Sequence, residues 1–179
     1  TAIKKNDSYL INGRKWYTSS AEGSSFAIVM AISNPNEKNK YLTASQIIVP
    51  TDLIGFNLIR KIPVMGEEGE GYFSHSEIEY NNVTVPKENL LGKEGFGFKI
   101  AQSRLGPGRI HHCMRWIGIC ERSFDMMCER AASRELSPGN FLGQKQLIHK
   151  MIAERRVEIN AAKLLVMDVG RKIEKQGSK

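Results

Sequence analysis

Trp16 and Thr18 lie two residues apart in the stretch Leu10-Ile11-Asn12-Gly13-Arg14-Lys15-Trp16-Tyr17-Thr18-Ser19-Ser20. Side chains two apart on an extended strand share a face, so this spacing predicts a broad apolar ring beside a hydroxyl that donates or accepts. A flat heteroaromatic ligand with an edge nitrogen suits that pair, and a flavin is such a ligand. The same residues also read as an ordinary strand, because Trp and Thr favour strands and Asn12-Gly13 is a common hairpin turn.

A second candidate is Arg104-Leu105-Gly106-Pro107-Gly108-Arg109-Ile110-His111-His112-Cys113, which opens a long helical pattern. Gly106 and Gly108 around Pro107 allow a ligand close to the backbone, a helix start there presents unpaired N–H groups, and Arg109 adds a cation. An anionic or carbonyl-rich ligand fits this arrangement, and so does a plain helix start. His111, His112 and Cys113 diverge by about 100° per residue on a helix, so they do not converge on one ion and no metal site is expected. Glu67-Glu68-Gly69-Glu70-Gly71, with His75 close after it, reads as a solvated acidic loop; its competitor is a carboxylate cluster poised as a general base. Gly92-Lys93-Glu94-Gly95-Phe96-Gly97-Phe98 matches neither the dinucleotide fingerprint nor the phosphate loop, which predicts a hinge between domains.

The elements that must position these residues change character near Gly95. Before it, short β-branched or alternating runs punctuated by turns predict strands over 8–11, 15–19, 26–32, 45–49, 56–62, 72–80 and 82–85, the last closed by Pro86. After it, two long helical patterns run from about Arg109 to Ser133 and from about Gln144 to Gln176, joined by Ser137-Pro138-Gly139-Asn140. The fold class is therefore α+β in separate domains: an antiparallel sheet or barrel over 1–95, then an αα-hairpin over 96–179 that forms half of a four-helix bundle. The second helix repeats apolar residues at Ile148, Ile152, Ile159, Ala162, Val166, Val169 and Ile173, with Met151, Leu164 and Leu165 flanking them. Two helices cannot bury surfaces that wide alone, so further helices are expected from chain beyond Lys179 or from another subunit, in a homo-oligomer. On this reading the chain is an excised middle piece, and a targeting segment upstream of Thr1 is compatible with it.

At 179 residues and 41% hydrophobic content, the chain is long enough for one core or two small ones. Its charge is uneven, with 10 Lys+Arg against 11 Asp+Glu through Phe96 and 16 against 8 from Gly97 onward. A basic helical half can meet an acidic protein, nucleic acid or a phosphate-bearing ligand such as coenzyme A. Nucleic acid is not expected, because no aromatic-basic stacking motif accompanies the spread charges. Cys113, Cys120 and Cys128 have spacings of seven and eight, which predicts buried core thiols on one helix stripe and a reducing compartment. No apolar run reaches about 18 residues, so no membrane span is expected.

Three stretches, in order, carry a resemblance: Ile11-Asn12-Gly13-Arg14-Lys15-Trp16-Tyr17-Thr18; Val83-Thr84-Val85-Pro86-Lys87-Glu88-Asn89-Leu90-Leu91-Gly92 running on through Gly95-Phe96-Gly97-Phe98; and the Arg109-led helix. The chain resembles the middle of the acyl-CoA dehydrogenase family over essentially its whole length. Leu105 to Arg115 look most like the branch that in animals is fused to a kinase-like domain and acts on long or branched acyl chains. The resemblance implies FAD as cofactor, with Trp16 shielding the flavin, Thr18 hydrogen-bonding its reactive nitrogen and Tyr17 giving backbone contact between them. It implies that Gly106, Pro107, Gly108 and Arg109 line the acyl-CoA channel and that Arg134 reaches the FAD of a neighbouring subunit. The aromatic residue usual three positions after that arginine is Ser137 here.

The family reaction removes an acyl thioester's α-proton with a glutamate while the β-hydride passes to the flavin, giving the 2-enoyl-CoA; the electrons leave to an electron-transfer flavoprotein. Some branches carry the glutamate where this chain has Gly108, so no catalytic base is expected in this chain and the base is expected beyond Lys179. The alternatives are an oxygen-using acyl-CoA oxidase and a non-catalytic flavoprotein that binds FAD or acyl-CoA. The resemblance further implies a homodimer or homotetramer, located in the cytoplasm if bacterial and in mitochondria or peroxisomes if eukaryotic.

Overall fold

The computed structural model describes residues 1–177. It divides into two compact units, residues 1–102 and the residues from Ser103 on. The first holds a four-stranded antiparallel sheet and a three-stranded one. Strands β1 (Ala2–Lys5), β2 (Ser8–Ser19), β3 (Phe26–Ile32), β4 (Ala44–Pro50), β5 (Phe56–Lys61), β6 (His75–Pro86) and β7 (Leu90–Leu91) assemble in the orders β1-β2-β6-β5 and β3-β4-β7. One core joins both sheets: Tyr9 and Ile11 of β2, Val29 and Ala31 of β3, Ile47 and Val49 of β4, and Ile78, Tyr80, Val83 and Val85 of β6. Alternation explains β4, where Ser45, Ile47 and Val49 are buried in turn. Each fully buried aliphatic side chain contributes about 1.5–3 kcal/mol, so these positions dominate the unit's stability.

Two strand predictions are corrected. Asn12-Gly13 is not a hairpin turn but lies inside the continuous strand β2, and the runs placed at 72–80 and 82–85 merge into one strand, β6, which starts only at His75 after a short turn at Gly71–Phe73. The ladder skips between Ile11↔Val83 and Gly13↔Tyr80, so Asn12 faces both Asn81 and Asn82. Asn82 is left-handed at φ +54°; its N–H donates to Asn12 Oδ1 at 2.8 Å and its Oδ1 accepts from Asn12 Nδ2 at 3.2 Å. The tolerance of Asn and Gly for unusual φ, which suggested a turn, is used for a bulge. The bulge moves the buried positions of β6 from even (Ile78, Tyr80) to odd (Val83, Val85).

The second unit contains most of α1 (Gly97–Ser133), a small hairpin of β8 (Glu135–Ser137) and β9 (Asn140–Phe141), and α2 (Gln146–Gln176). Helix α1 begins twelve residues before the expected Arg109 and runs through Pro107. Proline removes one intrahelical bond, which interrupts a 37-residue helix without ending it. The predicted helix start with unpaired N–H groups at Gly106–Arg109 is therefore absent. Gly95 and Gly97, expected to form a hinge, are buried where the chain packs on β4: Gly95 N–H donates to Ser45 Oγ at 2.8 Å, and a Cβ on Gly97 would sit 2.8 Å from the Ala44 carbonyl oxygen.

Glu121 joins the two helices, accepting from Arg156 at 2.6 Å and Lys163 at 3.2 Å, while the Arg156 guanidinium lies 4.1 Å from the Phe124 ring centroid. Within α2 the expected stripe Ile148, Ile152, Ile159, Val166, Val169 and Ile173 is half-buried, whereas Ala162, Met151, Leu164 and Leu165 are exposed. The buried-thiol expectation is corrected as well, since Cys113 and Cys120 are exposed and Cys128 half-buried; all three are free. Among the described residues only Cys128, toward the end of α1, is partly covered. Those residues include no helix long and apolar enough to cross a membrane.

Candidate functional site

A second bulge shapes the Trp16 segment. The ladder passes from Lys15↔Ile78 to Thr18↔Ser76, so Trp16 and Tyr17 together oppose Glu77. With one residue extra, Trp16 and Thr18 take positions of opposite parity, which corrects the expectation that alternation places them on one face. Tyr17 carries the distortion at φ +53°. A left-handed backbone costs a non-glycine residue about 1–2 kcal/mol and persists only where its surroundings over-determine it.

The bulge leaves the two aromatic rings in solvent, Trp16 64% exposed and Tyr17 50%, with centroids 5.1 Å apart. Thr18 is half-buried. Its cross-strand neighbour Ser76 is fully buried, and the Ser76 Oγ has no hydrogen-bond partner among the described residues. Strand β1 pairs with β2 only through Ile11, and the Thr1 carbonyl accepts from Asn12 N–H at 3.0 Å. From Arg14 to Ser19 the outer edge of β2 has no strand partner among the described residues. Backbone donors and acceptors there are open to a ligand with a polar edge.

Charge borders the rings. Arg14 donates to Glu79 at 2.9 Å and lies 3.8 Å from Glu77, which also accepts from Arg60 at 2.8 Å. Hydrogen bonding to Glu79 raises the Arg14 guanidinium further above its ordinary value. Lys15 turns the other way and donates to the Met30 carbonyl at 2.7 Å. A cavity of about 60 Å³ opens beside Gly13, Lys15, Val29 and Tyr80. Organic cofactors need several hundred Å³, so this segment offers a surface and not an enclosure.

The other predicted residues lie in the second unit. Gly106, Pro107 and Gly108 are half-buried inside α1, Arg109 is exposed, and a Cβ added at either glycine would meet nothing within 4 Å beyond its own stretch of helix. Two glycines in a helix interior cost about 1 kcal/mol each relative to alanine, and no packing within the described residues requires them. Arg134, just past the end of α1, is exposed; its N–H donates to the Arg130 carbonyl at 2.9 Å and its carbonyl accepts from Leu142 N–H at 2.8 Å. At about 1.5 Å rise per residue, Arg134 lies roughly 37 Å along the helix from Arg109, too far for both to hold one end of a ligand.

Sequence reading missed the bond between Ser19 Oγ and His75 Nδ1 at 2.9 Å, and the pairing of Glu22 with Lys61 at 3.0 Å. Hydrogen bonds from Lys61 and from Gly71 N–H hold the Glu22 carboxyl below its ordinary value. The residue types were visible, but only the ladder register brings positions 19 and 75 together. Glu67, Glu68 and Glu70 are exposed. The described residues contain no group of three or more His, Cys, Asp or Glu able to hold a metal ion.

The middle-domain model of the acyl-CoA dehydrogenases matches residues 1–83, and their C-terminal-domain model matches residues 95–179. Acyl-CoA dehydrogenase family member 11 of Gallus gallus is 42% identical over 98% of this chain, which spans 23% of that protein. The Mycobacterium tuberculosis protein named probable acyl-CoA dehydrogenase FadE2 is 41% identical over the whole of this chain, which spans 44% of it. The butyryl-CoA dehydrogenase structure from Megasphaera elsdenii superposes with a TM-score of 0.79 at 28% identity, over 97% of this chain and 44% of that one. With antiparallel sheets followed by a helical hairpin and both domain models matched in order, the chain belongs to the acyl-CoA dehydrogenase family.

Proposed function

We propose that this chain supplies the flavin-facing strand and part of the acyl-CoA channel of an FAD-dependent dehydrogenase that converts a fatty acyl-CoA to the 2-enoyl-CoA. One observation carries the reading: within the segment that matches the family's middle domain, Tyr17 is held left-handed at φ +53°, which leaves two aromatic rings exposed beside an unpaired strand edge. Strain of this kind accumulates where a ligand is held. Bound FAD supplies the hydride acceptor. With the ligand lying across the unpaired edge of β2, Trp16 covers an apolar ring face from one side of the strand, Thr18 offers its hydroxyl to an edge nitrogen from the other, and Tyr17 contributes backbone contact. The glycines at 106 and 108 admit the thioester portion of the substrate close to α1, and Arg109 orients it. As the family resemblance implies, Arg134 reaches the FAD of a neighbouring copy in a homo-oligomer, and its distance from Arg109 along α1 is compatible with that separate role.

Abstraction of the α-proton belongs to a glutamate outside these residues, because Gly108 stands where some branches of the family carry theirs. Such weak carbon acids require a polarised carbonyl and a desolvated base, which only a completed cleft provides. This chain alone is therefore expected to show negligible turnover. Electrons leave to an electron-transfer flavoprotein, as the family reaction implies. The three free cysteines fit a reducing compartment.

The test is the visible spectrum of the intact parent protein after FAD loading and removal of free cofactor. Retained flavin that weakens in Trp16→Ala and Thr18→Ala, together with acyl-CoA-dependent bleaching, is the expected result. A parent protein that retains no flavin overturns the reading, and retention without bleaching replaces it with a non-catalytic acyl-CoA or FAD carrier.

A further inference from the structure

The end of β2 is tied down by contacts from the segment that precedes β6 and from the first residue of β6. Ser19 and His75 are paired in the ladder, with Ser19 Oγ 2.9 Å from His75 Nδ1. Ser20 follows in the left-handed region at φ +64°; its Oγ donates to the Tyr72 carbonyl at 2.8 Å and its N–H to the Ser74 carbonyl at 3.0 Å. The Tyr72 ring covers Gly23 so closely that a Cβ there would lie 2.8 Å from it. Gly71 N–H donates to the Glu22 carboxylate at 2.8 Å. The short turns at 21–23 and 71–73 thus clamp the chain directly after Thr18.

A bulge adds a residue and with it freedom, so Tyr17 would relax toward ordinary extended backbone if the strand end were loose. The Ser20 N–H bond to the Ser74 carbonyl is one that any sequence supplies, and the Ser20 hydroxyl bond to the Tyr72 carbonyl lies one residue further from the bulge. The link nearest the bulge, one residue from Thr18, depends on two particular side chains. We propose that His75 is a positioning residue: through Ser19 it fixes the bulged end of β2, so that Thr18 and the Tyr17 backbone hold the orientation that flavin contact requires. The inference rests on the flavin reading above. His75 acts without touching the cofactor, and an asparagine amide oxygen can stand where its Nδ1 does, which makes the role separable from bulk.

The experiment uses the intact parent protein, with FAD affinity from equilibrium titration and amide hydrogen exchange of the 16–20 segment in the flavin-free form. His75→Ala and Ser19→Ala are each expected to weaken FAD binding by about five- to tenfold, the loss of one hydrogen bond's worth of ordering. The double variant is no weaker than either single one, His75→Asn recovers most of the affinity, and exchange of the 16–20 amides accelerates in both alanine variants. Unchanged FAD affinity in His75→Ala overturns the proposal, whether or not exchange accelerates, and so does a His75→Asn variant as weak as His75→Ala. Thr18→Ala serves as the reference. If it binds FAD like the wild type, the flavin reading and this inference fall together; if it weakens binding and His75→Ala does not, only this inference falls.

Discussion

Gly95 and Gly66 hold nearly the same left-handed backbone, φ +80° and +91°, in different surroundings. A Cβ on Gly95 would come within 2.5 Å of the Leu42 carbonyl oxygen, whereas one on Gly66 would meet nothing within 4 Å. Gly66→Ala therefore carries only the backbone term, about 1–2 kcal/mol. Gly95→Ala adds a clash against backbone that cannot rotate away and should lose about 3 kcal/mol or more. Urea midpoints of the two variants check this, and equal losses would show that the Leu42 contact relaxes freely. Tyr80 gives a second test. Burial pushes its phenol from 10.0 up to about 12, so the folded state keeps the proton longer than the unfolded chain does. The associated stability is intact below about pH 10 and declines as pH rises toward 12. Tyr80→Phe should remove that part of the alkaline loss, as read by urea melts at pH 8 and pH 11; an unchanged alkaline loss would assign it to other groups. At this scale residue types were legible and their facing was not. Trp16, Tyr17 and Thr18 stood out, yet one extra residue in the ladder, which no local signal announced, reversed the parity of Trp16 and Thr18.

Among the elements, α2 was legible to within two residues at its start because an apolar period of 3.6 ran along it with no Pro and no Gly before Gly170, near its end. The start of α1 was not, because Gly106-Pro107-Gly108 carries every sign of a helix boundary and only the structure shows the helix passing through it. The strands suffered similarly at Asn12-Gly13, where turn chemistry served a bulge. What pairs the two helices was also hidden, since Glu121 and Arg156 are 35 residues apart and their meeting depends on helix register. Hydrogen bonds from Arg156 and then Lys163 hold the Glu121 carboxyl below its ordinary 4.5. A lowered folded value means that the stabilisation is present above pH 4.5 and is lost as pH falls through the folded value. Glu121→Gln should therefore destabilise the helix pair at neutral pH, and the gap from wild type should close in acid. Urea melts of both forms from pH 7 to pH 3 give the comparison, and a gap independent of pH would assign the loss to packing instead.

At the scale of the whole chain, what remains uncovered decides behaviour. Leu164 and Leu165 of α2 are 68% and 66% exposed, and Leu147, Val157 and Met151 add to the apolar area on the same helix. Monomeric proteins rarely leave contiguous apolar surface of this kind in water. The chain spans 44% of its mycobacterial relative, so the cover can come from the rest of a parent chain or from a second copy. The cysteine spacing of seven and eight pointed to one buried helix stripe, whereas Cys113 and Cys120 are exposed among the described residues. The apolar period was legible in the sequence, but which chain covers it is not encoded in these residues. Prepared alone, the chain should therefore self-associate, with a sedimentation coefficient that rises with concentration. Charges on the uncovered face should oppose that contact while costing the helix little, because both side chains already face water. Leu164→Glu combined with Leu165→Glu is expected to hold the chain monomeric with its helical circular dichroism intact. A wild-type chain that stays monomeric at every concentration, or a double variant that still associates, would move the sticky surface elsewhere, with the exposed rings of Trp16 and Tyr17 the next to examine.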